Sequence, residues 1–518
     1  MGEKFVLILG AGLMQRPSIE SAKELGYKTL VVDANPNAVC VPFADRFEKV
    51  DLKDMEGIAK LALSMKDEIA GIFTAGTDFS ASVSYASEKC SLVSHSFQAA
   101  LNASNKVLMR ECFARENVPS PDFFEADEKF LQSLNSITSA KIEFPKVVKP
   151  VDNMGARGCR LVRCTEEFVP ALREAISYSR TGKAIVEDYM AGPEFSIDAL
   201  VFDGKVTITG FADRHIFFEP YFIELGHTMP SQCSAKMKGE LVETFKKGIK
   251  ALGLTNGVAK ADIKYTEKGP MIGEIAGRLS GGYMSGWTFP YSSGVNLTKE
   301  AMKIALGLEP ECSGSDEIPS SKFSHERAFI SIPGKVKAIY GEDNAMASPF
   351  VKNLFFRVAE GSEVNFPRNN VEKCGNVISL SENRQLSLWG AESAVAQIVL
   401  RLEVNNRKTE EFLAGIELPH EKGFPYSAYA ISKEDASLLE KQLAEAAEIP
   451  ENGKVSELIP PVLSGKENMR DWNYRTIEKT AELFDTLCSV HKAMDSKKFW
   501  KYMIRGGIQA VLYYADSL

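Results

Sequence analysis

Lysine, glycine and acid recur in the middle of this 518-residue chain in an order that suits phosphate chemistry. Lys149-Pro150 ends an apolar run and leads into Asp152-Asn-Met-Gly155-Ala156-Arg157-Gly158. A glycine turn of this kind can bring backbone N–H groups against phosphate oxygens, while the lysine supplies a fixed charge. No Gly-Lys-Ser/Thr follows, so this is not a Walker loop, and taken alone it reads equally well as a surface hairpin. Glu187-Asp-Tyr189-Met190 ends the next apolar run, and Glu194 follows seven residues after Glu187. Backbone groups at such a strand end can read an adenine edge, and the carboxylates suit its amino group and a ribose diol. The order of the series weighs against isolated surface carboxylates.

A third group pairs Asp262 with Glu274 across the turn Glu267-Lys-Gly-Pro270. Two inward carboxylates on adjacent antiparallel strands can share hard cations that bridge ATP phosphates. Arg278 stands four residues after Glu274, and Leu279-Ser-Gly281-Gly282 then gives a glycine turn; a structural salt bridge is the plainer use of such an arginine. The rival motif lies at the start of the chain: Gly10-Ala-Gly12 between a strand and a helix, with Asp33 where a dinucleotide fold holds a ribose. Its third glycine is missing, with Gln15 in that place and Pro17 just beyond.

The elements that must position these groups can be read from periodicity. Residues 5–9, a helix over 17–25, a strand over 29–33, a helix over 55–65 and a strand over 71–74 predict a small doubly wound sheet. Asn105-Lys106 opens a further helix, and Val118-Pro-Ser-Pro121 breaks the chain. Strands over 146–149, 184–187, 195–201 and 206–211 with a helix over 166–179 form an α+β pattern. An amphipathic helix over 238–252 precedes strands over 257–265 and 271–275. Beyond 320 come β-rich runs at 328–332 and 376–380, a helix over 393–402, and a helical tail with a capping-box-like start at Ser432-Lys-Glu-Asp435.

Composition narrows the function classes. A formal net charge of −8, with basic residues clustered only in pairs, excludes a broad cationic surface for nucleic acid. Nine cysteines without a CxxC pair fit reduced thiols in the cytoplasm rather than a disulfide framework or structural zinc. No apolar run of about 18 residues predicts a membrane span, and Gly2 is given little weight as a myristoylation start because Phe5-Val6 already belongs to a strand.

Taken together, Asn105-Lys106, Lys149, the Gly155–Gly158 loop, Glu187, Glu194, Asp262, Glu274 and Arg278 resemble the pattern of the ATP-grasp superfamily over about residues 5–405. The resemblance implies an α/β and α+β multidomain protein with the ATP-grasp fold. Its parts would be a doubly wound pre-ATP-grasp domain (1–100), an ATP-grasp core (101–315) with a lid at about 118–190, a β-rich C-terminal subdomain (316–415) and a helical appendage (416–518). Lys106 and Lys149 would contact ATP phosphates under a lid made by Gly155, Ala156, Arg157 and Gly158. Glu187, Tyr189 and Met190 would hold adenine and Glu194 the ribose. Asp262 and Glu274 would bind Mg²⁺ or Mn²⁺, and Arg278 would steady the acyl phosphate, with Lys149 beside it as a catalytic cation.

The implied reaction is ADP-forming ligation of a carboxylate to an amine. The stretch Asp213-Arg214-His and Phe222 to Ser231, with Gly334-Lys-Val-Lys and Asn370 to Gly375, is similar to amino-acid and dipeptide ligases. Biotin-carboxylase motifs are not evident. Arg214, His227, Arg278, Gly281 and Gly282 are the candidate substrate contacts, a buried structural role being the plainer reading of His227. One departure stands out: many family members read Glu-x-Asn where this chain has Glu274-Ile-Ala276, which removes one oxygen ligand. A non-catalytic ATP-binding sensor is the alternative this leaves open, and a dinucleotide-dependent oxidoreductase is the other. The partners expected are small carboxylate and amine substrates, with homo-oligomerisation left open.

Overall fold

The computed structural model describes residues 4–133, 142–415 and 423–518; Gly2, weighed above as a myristoylation start, lies outside them. Two compact units divide the chain, one of residues 1–215 and 227–324, the other of 216–226 and 325–518.

The first unit opens with a parallel sheet ordered Arg46–Lys49, Lys28–Asp33, Phe5–Leu9, Ile69–Phe73. Its central strand is apolar on both faces, with Val6, Leu7, Ile8 and Leu9 fully buried, as a parallel strand covered by helices requires. The short strand Arg46–Lys49 was not predicted; its Arg-Phe-Glu-Lys sequence suits an exposed edge and has no apolar period.

A second sheet is antiparallel, ordered Phe123–Asp127, Lys183–Asp188, Lys146–Pro150, Arg160–Val162. The helix Thr165–Tyr178 covers one side of it through Phe168, Ala171, Leu172 and Ala175. The third sheet runs Gly269–Ala276, Gly257–Thr266, Glu194–Phe202, Lys205–Phe217. Along Glu194–Phe202 the side chains alternate, so Phe195, Ile197, Ala199 and Val201 join a core with Leu241, Phe245, Ile249 and Leu252 of the helix Ala235–Leu252. The opposite face carries Glu194, Ser196 and Asp198. Ser234 caps that helix by accepting from Met237 N–H, and Gly253 ends it at φ 79°.

In the second unit the strands Gly375–Ser381 and Val351–Phe356 pair antiparallel, and Gly334–Tyr340 pairs with Val399–Leu402. The helix expected over 393–402 is displaced. It spans Arg384–Gln397, started by Asn383, whose side chain accepts from Leu386 N–H, and Val399–Leu402 is a strand. Val399, Leu400 and Leu402 are all buried, a short apolar run that periodicity alone cannot assign. The later helices Lys433–Ala444, Ile477–Leu487 and Ser496–Asp516 build their own core, and Ala510 and Tyr513 of the last join the core of residues 328–413.

Candidate active site

The face of the third sheet opposite its helix is a grid of charge. Antiparallel register sets Asp262 against Glu274 and Lys260 against Ala276 on one side, and Ser196 against Asp262 and Asp198 against Lys260 on the other. Because side chains alternate, Lys260, Asp262 and Lys264 share that face. Arg214 comes in from the neighbouring strand and is ion-paired with Glu194 and, at 2.6 Å, with Asp262 Oδ1. Lys260 Nζ is ion-paired with the other oxygen of Asp262. Lys264 Nζ lies 3.5 Å from Glu194, donates to Met190 C=O at 3.1 Å and sits over the Tyr189 ring.

Beside this grid the second sheet and the helix Lys106–Arg115 bring in two lysines and an arginine. Asn105 caps the helix, accepting from Val107 and Leu108 N–H, and so fixes Lys106 at its first position. Lys106 Nζ donates to Asn153 C=O at 2.9 Å and stands 3.4 Å from Glu274 Oε1. Lys149 Nζ is 2.6 Å from Glu187 Oε2, and Arg110 Nη2 is 2.8 Å from Glu187 Oε1 and donates to Gly273 C=O at 2.6 Å. Lys106 and Arg110, four apart on one helix face, thus address the two acids.

Burial disfavours charge on both acids, but the cations prevail. Arg110, Lys149 and Lys106 hold Glu187 below the usual carboxylate range. Burial likewise opposes the Glu274 carboxylate, yet Lys106, Lys149, Lys260 and Arg278 hold it at about 2. Burial works against the Lys106 ammonium too, and Glu274, Asp78 and Glu187 keep its pKa raised. Glu187, Glu274 and Lys106 are therefore charged at neutral pH. Asp198 differs. Wholly buried, it is pushed up to about 6 by desolvation, although Ser280 donates to Oδ2 from both N–H (3.2 Å) and Oγ (2.6 Å).

The loop after Lys149 follows its glycines: Gly155, Ala156 and Gly158 all have positive φ, of 71°, 58° and 67°. Arg157 Nε donates to Met154 C=O at 3.1 Å within the loop. A Cβ at Gly158 would lie 2.9 Å from Tyr178 Cδ2, so glycine is required there on both counts. Arg278 follows the strand that carries Glu274. Its turn is held by Asp198 through Ser280, and by Gly76 N–H donating to Leu279 C=O at 3.3 Å. Gly281 lies against Gly76, and Gly282 takes φ 61°. A cavity of about 50 Å³ behind Arg278, lined in part by Thr74, Ser80 and His95, is room for a water or two and no more. His227 is fully buried on the strand Ile223–Met229.

Glu187, Glu274, Lys106 and Lys149 thus form one cluster, and Glu194, Asp262 and Arg214 the adjoining grid. Arg110, Lys260, Lys264 and Asp198 were missed from the sequence. The signal for three of them was present, in i+4 spacing from Lys106 and i±2 spacing from Asp262. At the first motif, Asp33 accepts from Ala11 N–H at 2.8 Å and Asn35 N–H at 2.9 Å, so its carboxylate fastens the glycine turn. Gln15 bridges to Ala75 through both ends of its amide, at 2.5 and 3.1 Å.

The donor set suits a hard cation. Glu274 keeps 31% of its side chain exposed and faces Asp262 across the strand pair, and phosphate oxygens and water could complete such an ion's shell. Among the described residues no three acids, histidines or cysteines gather as a ligand set, here or elsewhere, so the protein offers an ion two carboxylates at most at this site, and no helix is long and apolar enough to cross a membrane.

Comparison with known proteins gives this arrangement its context. Residues 142–286 match the ATP-grasp domain, and residues 328–403 match the L-amino acid ligase C-terminal domain 2. An uncharacterized protein of Sinorhizobium fredii, y4rH, is 24% identical over 413 residues, 77% of this chain and 83% of its own. Human carnosine synthase 1 is 24% identical over 335 residues, 60% of this chain, which spans 40% of the synthase's length. The crystal structure of L-amino acid ligase from Bacillus licheniformis superposes with a TM-score of 0.67 at 19% identity, covering 78% of this chain and all of that one, which establishes the fold.

Proposed function

This chain carries an ATP-grasp domain joined to an L-amino acid ligase C-terminal domain 2, and from that premise we infer that it is an ATP-dependent ligase joining a carboxylate to an amine, with an amino acid as substrate. The observation that carries the reading is the cluster of Lys106, Lys149, Glu187 and Glu274, ion-paired with one another and gathered at one edge of the charged grid.

In this reading Lys106 and Lys149 exchange their carboxylate partners for ATP phosphates, and the loop from Gly155 to Gly158 closes over them. Glu187 with the backbone at Tyr189 and Met190 holds adenine, and Glu194 the ribose. Glu274 and Asp262 would hold Mg²⁺ or Mn²⁺, which when bound offsets charge on the transferring phosphate. A substrate carboxylate oxygen attacks the γ-phosphorus, its O–P bond forms and the bond to ADP breaks. The amine then adds to the acyl carbon, phosphate departs and the nitrogen loses a proton.

Arg278 faces the charge that develops on the acyl oxygen, and its turn is fastened independently by Asp198 and Gly76, so it needs little reorganisation. Arg214 and the Gly281-Gly282 turn are proposed to contact the substrate, and the buried His227 to serve the strand Ile223–Met229 structurally. Closure keeps water from the acyl phosphate. The setting proposed is the cytoplasm, with small-molecule substrates.

The test is phosphate release from ATP with Mg²⁺ across amino acids offered singly and in pairs. Release should require a particular pair. Glu274→Gln should lower kcat about a hundredfold or more, as expected for loss of a charge that acts on phosphoryl transfer, while ATP still binds. A panel in which no pair stimulates release, despite tight ATP binding, would remove the ligase reading.

A further inference from the structure

We propose that the ammonium of Lys260 stands in for a second divalent ion, so that this site takes one ion for each bound nucleotide. The proposal rests on the reading of Asp262 and Glu274 as the ion's carboxylates.

Register places the relevant groups. Lys260 and Asp262 point to one face of the same strand; across from them stand Ala276 and Glu274, and on the other side Asp198 and Ser196. Lys260 is 8% exposed and its Nζ is held on Asp262 Oδ2. The other oxygen of Asp262 is 2.6 Å from Arg214. Asp262 therefore meets fixed cations on both sides. Ala276, the residue opposite Lys260, has no oxygen to offer an ion in its side chain.

Glu274 is differently placed. Its ion-pair partner, Lys106, is 3.4 Å away, and the side chain stays 31% exposed. One ion can reach Glu274 and the near side of Asp262, with phosphate oxygens and water as its other ligands. A second ion beyond Asp262 would have to displace a nearly buried ammonium or lie against it, and like charges at such range repel strongly. Asp198 faces Lys260 in register from the neighbouring strand, and the lysine's charge opposes the upward pull of burial on its carboxylate. The ammonium thus has an acid on either side.

An ammonium held on an acid offsets charge and can donate hydrogen bonds, but it offers no open coordination positions as a metal does. The inferred division is that an ion held by Glu274 would offset phosphate charge, while Lys260 keeps the negative charge of Asp262 from opposing it.

The experiment is manganese electron paramagnetic resonance on the full chain saturated with the imido analogue of ATP, with bound Mn²⁺ counted by equilibrium dialysis. The expected result is one Mn²⁺ per bound nucleotide, with an uncoupled six-line spectrum. Lys260→Met should bring the count to two with a spin-coupled spectrum, whereas Lys260→Arg, which keeps the cation, should stay at one. Lys260→Gln serves the same purpose should the methionine variant not fold. Two coupled ions in the unaltered protein would overturn the proposal, and so would a count of one in the unaltered protein and both neutral variants alike. Failure to bind the nucleotide at all would be a different result: it would sink the ligase reading itself, and the lysine's role with it.

Discussion

Arg110 is wholly buried, and its surroundings show what holds it. One nitrogen serves both Glu187 and the carbonyl of Gly273, the residue before Glu274. It therefore ties the acid assigned to adenine to the strand that carries the acid assigned to the ion. When Lys149 leaves Glu187 for a phosphate, Arg110 is the cation that remains. Arg110→Met should destabilise by at most about 3–5 kcal/mol in denaturant unfolding, since it removes one of the two cations that hold a buried carboxylate and leaves Lys149 as its partner. It should also raise the KM for ATP by about tenfold, the equivalent of about 1.4 kcal/mol. Arg110→Lys keeps the charge and should recover most of the ATP affinity, an outcome that simple loss of packing would not give. Unchanged ATP affinity in Arg110→Met would show that Glu187 needs only Lys149.

Among the elements, the turn at Gly158 and the link made by His95 bear most directly on the site. Gly158→Ala meets two penalties, positive φ and Tyr178, whereas Gly182→Ala at φ 70° has nothing within 4 Å of the new Cβ. The alanine at 158 should thus destabilise by about 1–3 kcal/mol more than the one at 182 in thermal melts, the range for overpacking. His95 joins the first sheet's connection to the strand Gly257–Thr266: Nε2 donates to Val258 C=O at 2.9 Å and Nδ1 accepts from Thr255 N–H at 3.2 Å. Burial lowers its pKa to about 4 from an ordinary 6.5. The unfolded chain then binds the proton more readily, so the stability from neutral His95 is full above pH 6.5 and is lost as pH falls toward 4. The span corresponds to about 3 kcal/mol. Urea midpoints should fall more steeply from pH 7 to pH 4.5 in the unaltered protein than in His95→Gln.

The helices and strands around these groups were legible because each alternates or repeats cleanly. Residues 146–150, 183–188 and 257–276 carry both the pattern and the acids or lysines at their ends. The charge grid was only half legible. Asp262 and Glu274 could be paired from the turn between them, and Lys260 stands two residues from Asp262 on the same strand, but Arg214 reaches Asp262 from another strand of the sheet, which sequence spacing does not encode. Val399–Leu402 was misread because four residues cannot distinguish strand from helix by period.

In the second unit the last helices are part of the core. Gln509 donates to Leu400 C=O and Ser331 Oγ, and Arg401 is ion-paired with Asp516. Arg475, fully buried, donates to the carbonyls of Ala396 and Ile398. Ending the chain at Gly415 should therefore leave the strands of 328–402 without their cover, and residues 325–415 should lose cooperative unfolding by calorimetry; a truncated chain that keeps that transition would mark the tail as dispensable. Over the whole chain the net charge of −8 repels an anionic nucleotide, and the lysines proposed to meet it already hold carboxylates. Under the proposed function, nucleotide binding is then an exchange of partners rather than the filling of an open basic cleft. Added salt weakens the pairs being broken along with the pairs being made, and it screens the overall repulsion. The dissociation constant of the imido analogue should accordingly change by less than about threefold between about 0.05 and 0.5 M salt, even though the Debye length shrinks severalfold over that interval.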